Sequence, residues 1–306
     1  MEGMPALEAL LHAGAPIHAV LTLTPELAAA RSAAADYGPV CQRYGVPLYH
    51  ISNINDAASA RILCRIAPDV VFVIGWHQRV RPATLRIARL GVVAAHASLL
   101  PHNRGNAPIN WAIIRGEERT GNTLYWMAEN PDDIEIIDQT GFPITPYDTC
   151  ATLYSRVALS NRAMLLRLLP LLLAGQRPGW LQPKPTEPLL PRRRPADGRI
   201  DWNRPSRAVY DFIRALTRPY PGAFSTLDQQ RWLIWRAALL PAGDTSAPAG
   251  TILGPVFSPV HGSCGQLVAC GTGAVILLEL ERPNADLLRG YTVSEQAWTG
   301  WRWRDA

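Results

Sequence analysis

Residues Gly91–Gln139 read GVVAAHASLLPHNRGNAPINWAIIRGEERTGNTLYWMAENPDDIEIIDQ. The apolar run Gly91–Ala95 predicts a buried strand, and it ends in a histidine, His96. A loop follows that carries Ser98, Pro101, Arg104, Gly105 and Pro108. Trp111, Ile113 and Ile114 mark a further ordered segment, Thr123–Met127 reads as a second strand, and the paired carboxylates Asp132 and Asp133 come next. A histidine at a strand end, a polar Gly/Pro loop and a carboxylate on the following loop suit acid/base chemistry. Their place is the carboxyl edge of an open α/β sheet.

The flanking sequence supplies the rest of that sheet. Val70–Ile74 (VVFVI) is apolar and rich in β-branched residues, as a strand buried on both faces must be. Upstream, Pro5–Ala13 predicts an amphipathic helix stopped by Gly14, and Ile17–Thr22 a strand. Tyr37–Tyr44 reads as a helix ended by Gly45, Val46–Tyr49 as a short strand, and Asn55–Ile66 as a helix capped by Asn55. Downstream, Asp148–Ala174 predicts a long surface helix with Asp148 as N-cap and Gly175 beyond its end. Residues 1–175 therefore predict an open, mostly parallel, Rossmann-like domain.

Six prolines and little periodicity make residues 176–196 an extended linker. Beyond it come a helix, Pro205–Leu216, and short strands at Arg231–Ala238, Gly250–Leu253, Gln266–Ala269 and Ala274–Leu280. Short strands with Gly/Pro/Ser turns predict a small antiparallel, OB-like β-barrel over residues 197–306. Trp298, Trp301 and Trp303 are expected to pack the terminus onto it.

Composition narrows the function. The 306 residues are 48% hydrophobic and 18% charged, which describes a folded globular chain. The net charge of +5 is dispersed, and its tightest cluster, Arg192-Arg193-Arg194, reads as solvated linker, so a nucleic-acid partner is not expected. Five cysteines without C-x-x-C spacing read as reduced thiols of a cytoplasmic protein, and no His/Cys spacing suggests a metal. The most apolar run, Leu168–Gly175, is far short of the roughly 20 residues of a membrane span. Gly271 and Gly273 lack the third glycine of a dinucleotide fingerprint, and neither a P-loop nor a G-x-S-x-G elbow is present. A homodimer is compatible with the sequence.

The loop His96, Ser98, Leu99, Leu100, Pro101, Arg104, Gly105, Pro108, Trp111 resembles the HxSLLPxxRGxxPxxW loop of the 10-formyltetrahydrofolate-dependent formyltransferases. That family contains methionyl-tRNA formyltransferase and the N-formyltransferases of nucleotide-linked amino sugars. Its acidic residue falls on Asp132, 36 positions after His96. Asp197–Trp202 (DGRIDW) and Arg214–Phe224 (RALTRPYPGAF) resemble its C-terminal domain, so the likeness covers nearly the whole chain.

The resemblance implies 10-formyltetrahydrofolate as co-substrate and a small-molecule primary amine as acceptor. A nucleotide-linked amino sugar comes first, because Asn110-Trp111 is the sugar-modifying wording. It implies His96 as general base or oxyanion donor, with Asp132 orienting it or relaying the proton. It places Trp76, His77, Gln78 and Val80, with Asp132 and Ile134, at the folate, and Ser98, Arg104, Asn106, Asn110 and Tyr220 at the acceptor. Three departures stand out. Ala94 occupies the usual asparagine position, Ile134 the usual glycine position, and the family's strand before the first helix has no counterpart. The last suggests truncation at gene calling. A catalytically impaired homologue that binds folate or a sugar nucleotide is therefore one rival reading. Methionyl-tRNA formylation is another, weakened by the near absence of basic residues between Thr22 and Tyr37.

Overall fold

The computed structural model describes residues 2–32, 34–130, 133–240, 245–259, 263–282 and 285–304. Its first elements are helix α1 (Met4–His12), strand β1 (Val20–Leu23), α2 (Pro25–Ala29), α3 (Gly38–Tyr44), β2 (Leu48–Ile51), α4 (Ala57–Ile66) and β3 (Val70–Val73). Next come α5 (Pro82–Leu85), β4 (Gly91–His96), α6 (Pro108–Ile114), β5 (Arg119–Trp126), β6 (Glu135–Pro143), α7 (Cys150–Leu173) and β7 (Trp180–Leu181). The remainder is α8 (Ser206–Leu216), β8 (Ala223–Leu227), β9 (Gln230–Leu239), β10 (Ile252–Val256), β11 (Gly265–Ala269), β12 (Ala274–Glu281), β13 (Leu287–Arg289) and α9 (Tyr291–Ser294). Two compact units result. One holds residues 1–108, 119–143 and 153–190; the other holds 109–118, 144–152 and 191–306.

In the first unit, β1 pairs with β2 and β3 with β4 in parallel, and the ladders β4–β5, β5–β6 and β6–β7 are antiparallel. The open α/β sheet is thus mixed, parallel at its start and antiparallel from β5 onward. Val93, Leu124 and Trp126 face Met164, Leu165 and Leu168 of α7, which buries one side of the sheet. β1 and β2 form one sheet, and β3-β4-β5-β6-β7, in that order, form another. Between their facing edges lies an apolar cavity of about 500 Å³, lined by Val20–Leu23, Val70–Val73, Leu10 and Leu165.

Several local expectations change. Helix α4 is capped by Asp56, whose carboxylate accepts from Ser59 N at 2.7 Å, and not by Asn55. The Asn55 side chain instead donates to Arg79 O (2.8 Å) and accepts from Arg81 N (2.8 Å), tying down the loop after β3. At α7 the capping pair is Thr149 and Thr152, each hydroxyl accepting from the other's backbone N–H (3.3 and 2.9 Å), so Asp148 is not the cap. The expected linker contributes β7, paired with Glu135 and Ile136.

In the second unit the order β10-β11-β12-β9-β8, with β13 on β12, makes an antiparallel sheet. The expected closed barrel is not formed by strand ladders among the described residues, since β8 and β10 do not pair. Backbone bonds from residues 301–304 reach Thr226 on one edge and Gly250 and Ile252 at the other. Trp298 and Trp303 are buried beside Trp232, whereas Trp301 is exposed. No helix of the described residues is long and apolar enough to cross a membrane, and all five cysteines are free thiols.

Candidate active site

β4 delivers His96 at its carboxyl end, and β3, running parallel beside it, delivers the loop from Gly75 to Val80 at the same edge. Cross-strand register then sets the neighbours of His96. Thr123 stands directly opposite it, and Tyr125 directly opposite Ala94. Side chains alternate along a strand, so these four share one face, opposite the face packed on α7.

The chain beyond His96 folds back over that face. Thr123, fully buried, donates its hydroxyl proton to Ser98 O (2.7 Å) and accepts from Leu100 N (3.0 Å) and Gln139 Nε2 (2.9 Å). Gln139 Nε2 also donates to Leu100 O at 2.9 Å. Ser98 is buried, and its hydroxyl donates to His102 O at 2.6 Å. The loop needs left-handed backbone at Asn103 (φ 53°), Gly105 (φ 115°) and Ala107 (φ 51°). At Gly105 a Cβ would lie 2.5 Å from Leu190 O, because residues 104–106 and Leu190 exchange backbone hydrogen bonds. Gly121 is equally constrained: a Cβ there would sit 2.5 Å from Leu99 Cδ2.

These fastenings place Asn103 O 3.0 Å from His96 Nε2. A carbonyl only accepts, so Nε2 carries the proton and the lone pair is on Nδ1. The ring is partly buried, and burial pushes its pKa below the ordinary imidazole value, opposed by the bond to Asn103. Near neutral pH His96 is a neutral imidazole able to take a proton.

The residues expected at the folate divide by their contacts. Val80 is buried in a cluster with Ile51, Ile54 and Leu63, against which Trp76 packs. Gln78 accepts from Ile54 N (2.9 Å) and donates to Ser52 O (2.8 Å), so it braces the loop. The indole N–H of Trp76 is buried and has no hydrogen-bond partner among the described residues. His77 is exposed, its ring 5.8 Å from that of Trp76. Ile134 is buried with Leu100 and Ile136. Its φ is not positive, a backbone conformation that a β-branched residue adopts without strain. Asp132 lies outside the described residues.

Of the residues expected at the acceptor, Arg104 is half-buried and donates to Glu187 O (3.2 Å), and Asn106 is exposed. Asn110 and Tyr220 belong to the other compact unit, where buried Asn110 donates to Ala215 O at 2.6 Å. His96, Ser98, Ile134 and the loop holding Trp76, Gln78 and Val80 all belong to the first compact unit, and Asn110 and Tyr220 to the second. Sequence reasoning missed Thr123 and Gln139, which hold the loop. Their signal is period-two spacing: a threonine and a glutamine inside otherwise foldable strands, on the histidine's face.

An open α/β sheet thus carries His96 at its carboxyl edge, beside the loop that follows β3. The chain belongs to the formyl transferase family: residues 6–169 match its formyl transferase domain and residues 193–295 the formyl transferase C-terminal domain. Solved structures of the same fold include HypX from Aquifex aeolicus in complex with tetrahydrofolic acid. It is 17% identical with TM-score 0.60, covering 83% of this chain and 43% of that one. WlaRD, a sugar 3N-formyl transferase crystallised with dTDP and 5-N-formyl-THF, is 15% identical with TM-score 0.63, covering 93% and 95%. The N-formyltransferase from Helicobacter canadensis, in complex with folinic acid and dTDP-3-aminofucose, is 15% identical with TM-score 0.62, covering 90% and 95%. The chain thus spans less than half the length of HypX, and at these identities the likeness is one of fold.

Proposed function

We propose that the protein transfers a formyl group from 10-formyltetrahydrofolate to the primary amine of a nucleotide-linked amino sugar, in the cytoplasm. The observation that carries the reading is the neutral His96, its Nε2–H held by Asn103 O and its lone pair on Nδ1. Family membership supports formyl transfer, and the folates and the dTDP-sugar in the neighbours' structures support the two substrates. The unpartnered Trp76 N–H suits a folate with hydrogen-bond acceptors, since a buried donor without a partner calls for one.

In this mechanism the amine nitrogen attacks the formyl carbon and a tetrahedral oxyanion forms. The proton lost by the nitrogen passes to His96 Nδ1 and on to N10 of the folate as the C–N10 bond breaks. Asp132 is the proposed relay partner. Such base catalysis contributes about 10²- to 10⁴-fold. Ala94 favours a second reading, a homologue that binds both ligands without turnover, because no side-chain amide stands at that position.

The test is an assay of 10-formyltetrahydrofolate with a panel of nucleotide-linked amino sugars, with initiator methionyl-tRNA as comparison. Formylated sugar supports the reading. Formylation of the tRNA alone, weakened steeply by added salt as phosphate contacts require, replaces it with the tRNA activity. Saturable binding of both sugar and folate without product supports the second reading.

A further inference from the structure

We propose that Tyr125 supplies the hydroxyl that stabilises the oxyanion of formyl transfer, across from Ala94. The proposal rests on the function proposed above and names the donor that reaction needs.

The argument is an accounting of donors on one face. β4 and β5 put Ala94, His96, Thr123 and Tyr125 on the same side of the sheet. The Thr123 hydroxyl proton is committed to Ser98 O, the Ser98 hydroxyl to His102 O, and Gln139 Nε2 to Leu100 O and Thr123. His96 Nε2–H is committed to Asn103 O. All four hold the loop in place, and drawing any of them to a substrate loosens it. Ala94 has no donor. The Tyr125 phenol has no hydrogen-bond partner among the described residues.

Position favours the same residue. Tyr125 is the diagonal neighbour of His96 across the ladder, a separation of roughly 7–8 Å that aromatic side chains span. A formyl group between them has its attacking amine toward the imidazole and its oxygen toward the phenol. The methyl of Ala94, directly opposite Tyr125 with Cβ atoms about 5 Å apart, leaves that space open. Leu100, Ile134 and Ile136 pack against the tyrosine ring and hold it. Burial raises the phenol pKa to about 12, so it remains a donor throughout the working range of the histidine.

The experiment compares the full chain with Tyr125→Phe, Ala94→Asn and the double variant in single-turnover formyl transfer to dTDP-3-aminofucose and the acceptor panel. Folate affinity and thermal midpoint are measured in parallel. The expected result is a rate loss of about 10²-fold in Tyr125→Phe, as for deletion of one oxyanion donor. Folate affinity and midpoint stay as in the natural chain, and at least tenfold of the rate returns in the double variant, where an amide stands opposite the missing phenol. A Tyr125→Phe rate within threefold of an active natural chain overturns this proposal alone. So does a rate loss matched by an equal loss of folate affinity, which marks a packing role. Inactivity of the natural chain and of Ala94→Asn alike overturns the proposed reaction and this donor with it.

Discussion

Replacing Thr123 by valine keeps the shape of a fully buried side chain and removes a hydroxyl that makes three hydrogen bonds. Leu100 N loses the acceptor it has in the structure, Ser98 O loses a donor, and Gln139 keeps its bond to Leu100 O. A buried amide left without a partner costs about 1–3 kcal/mol, and a lost neutral hydrogen bond about 1 kcal/mol net. The expected destabilisation is therefore about 3 kcal/mol, or a midpoint about 6–12 °C lower for a unit of this size. The catalytic effect follows from geometry. With residues 98–100 released, Asn103 O no longer holds the His96 ring, so the chemical rate falls while folate binding through the loop after β3 is retained. Urea unfolding monitored by tryptophan fluorescence gives the stability, and hydrogen exchange resolved at the Leu100 amide gives the local effect. A loss below about 1 kcal/mol with the Leu100 amide still protected refutes the claim that Thr123 holds this loop.

Because His96 has its folded pKa below the unfolded value of about 6.5, the unfolded chain binds more protons as pH falls. Stability is unaffected above 6.5 and is lost as pH drops from there toward the folded value. The acid limb of kcat/KM is correspondingly expected below pH 6.5, and a limb above 7 contradicts the neutral-base assignment. Trp76→Phe keeps an aromatic ring but removes the unpartnered N–H with part of the indole, so folate Kd is expected to rise up to about tenfold by titration fluorimetry, with a lower midpoint from the packing lost against Ile51, Ile54 and Leu63. Asp211, buried between Arg207 (2.8 Å) and Arg214 (2.7 Å), holds the second unit. Asp211→Asn is expected to cost about 3–5 kcal/mol, measured by urea unfolding, because the buried Arg214 guanidinium loses its counter-charge.

What was legible in the sequence is what a single strand and its following loop encode. Gly91–His96 ends where its apolar run ends, and Val70–Val73 is the strand its β-branched residues predict, although each of its residues is only partly buried, because the strand lines the cavity beside β1. Strand β6 was not legible, because Glu135–Pro143 mixes carboxylates, a glutamine and a glycine with its apolar residues, and its register shifts against β5 at Leu124/Tyr125. Thr123 and Tyr125 gain their meaning from register, which sets them opposite His96 and Ala94, and register is a property of two strands. Asn110 follows the loop closely in sequence, yet α6 carries it into the second compact unit, where Ala215 O takes its amide. Asp56 and Thr149 cap one residue beyond Asn55 and Asp148, because adjacent Asn-Asp and Asp-Thr pairs each offer two side chains able to cap.

The measurement that bears most directly on the central claim is single-turnover transfer of a labelled formyl group from 10-formyltetrahydrofolate, in the natural chain and in His96→Ala, with folate binding measured in both. The account predicts transfer by the natural chain, a loss of about 10²-fold or more in His96→Ala, and equal folate affinity in the two. Equal transfer rates in the two proteins would contradict it, since the proton of the attacking amine would then have another destination than His96.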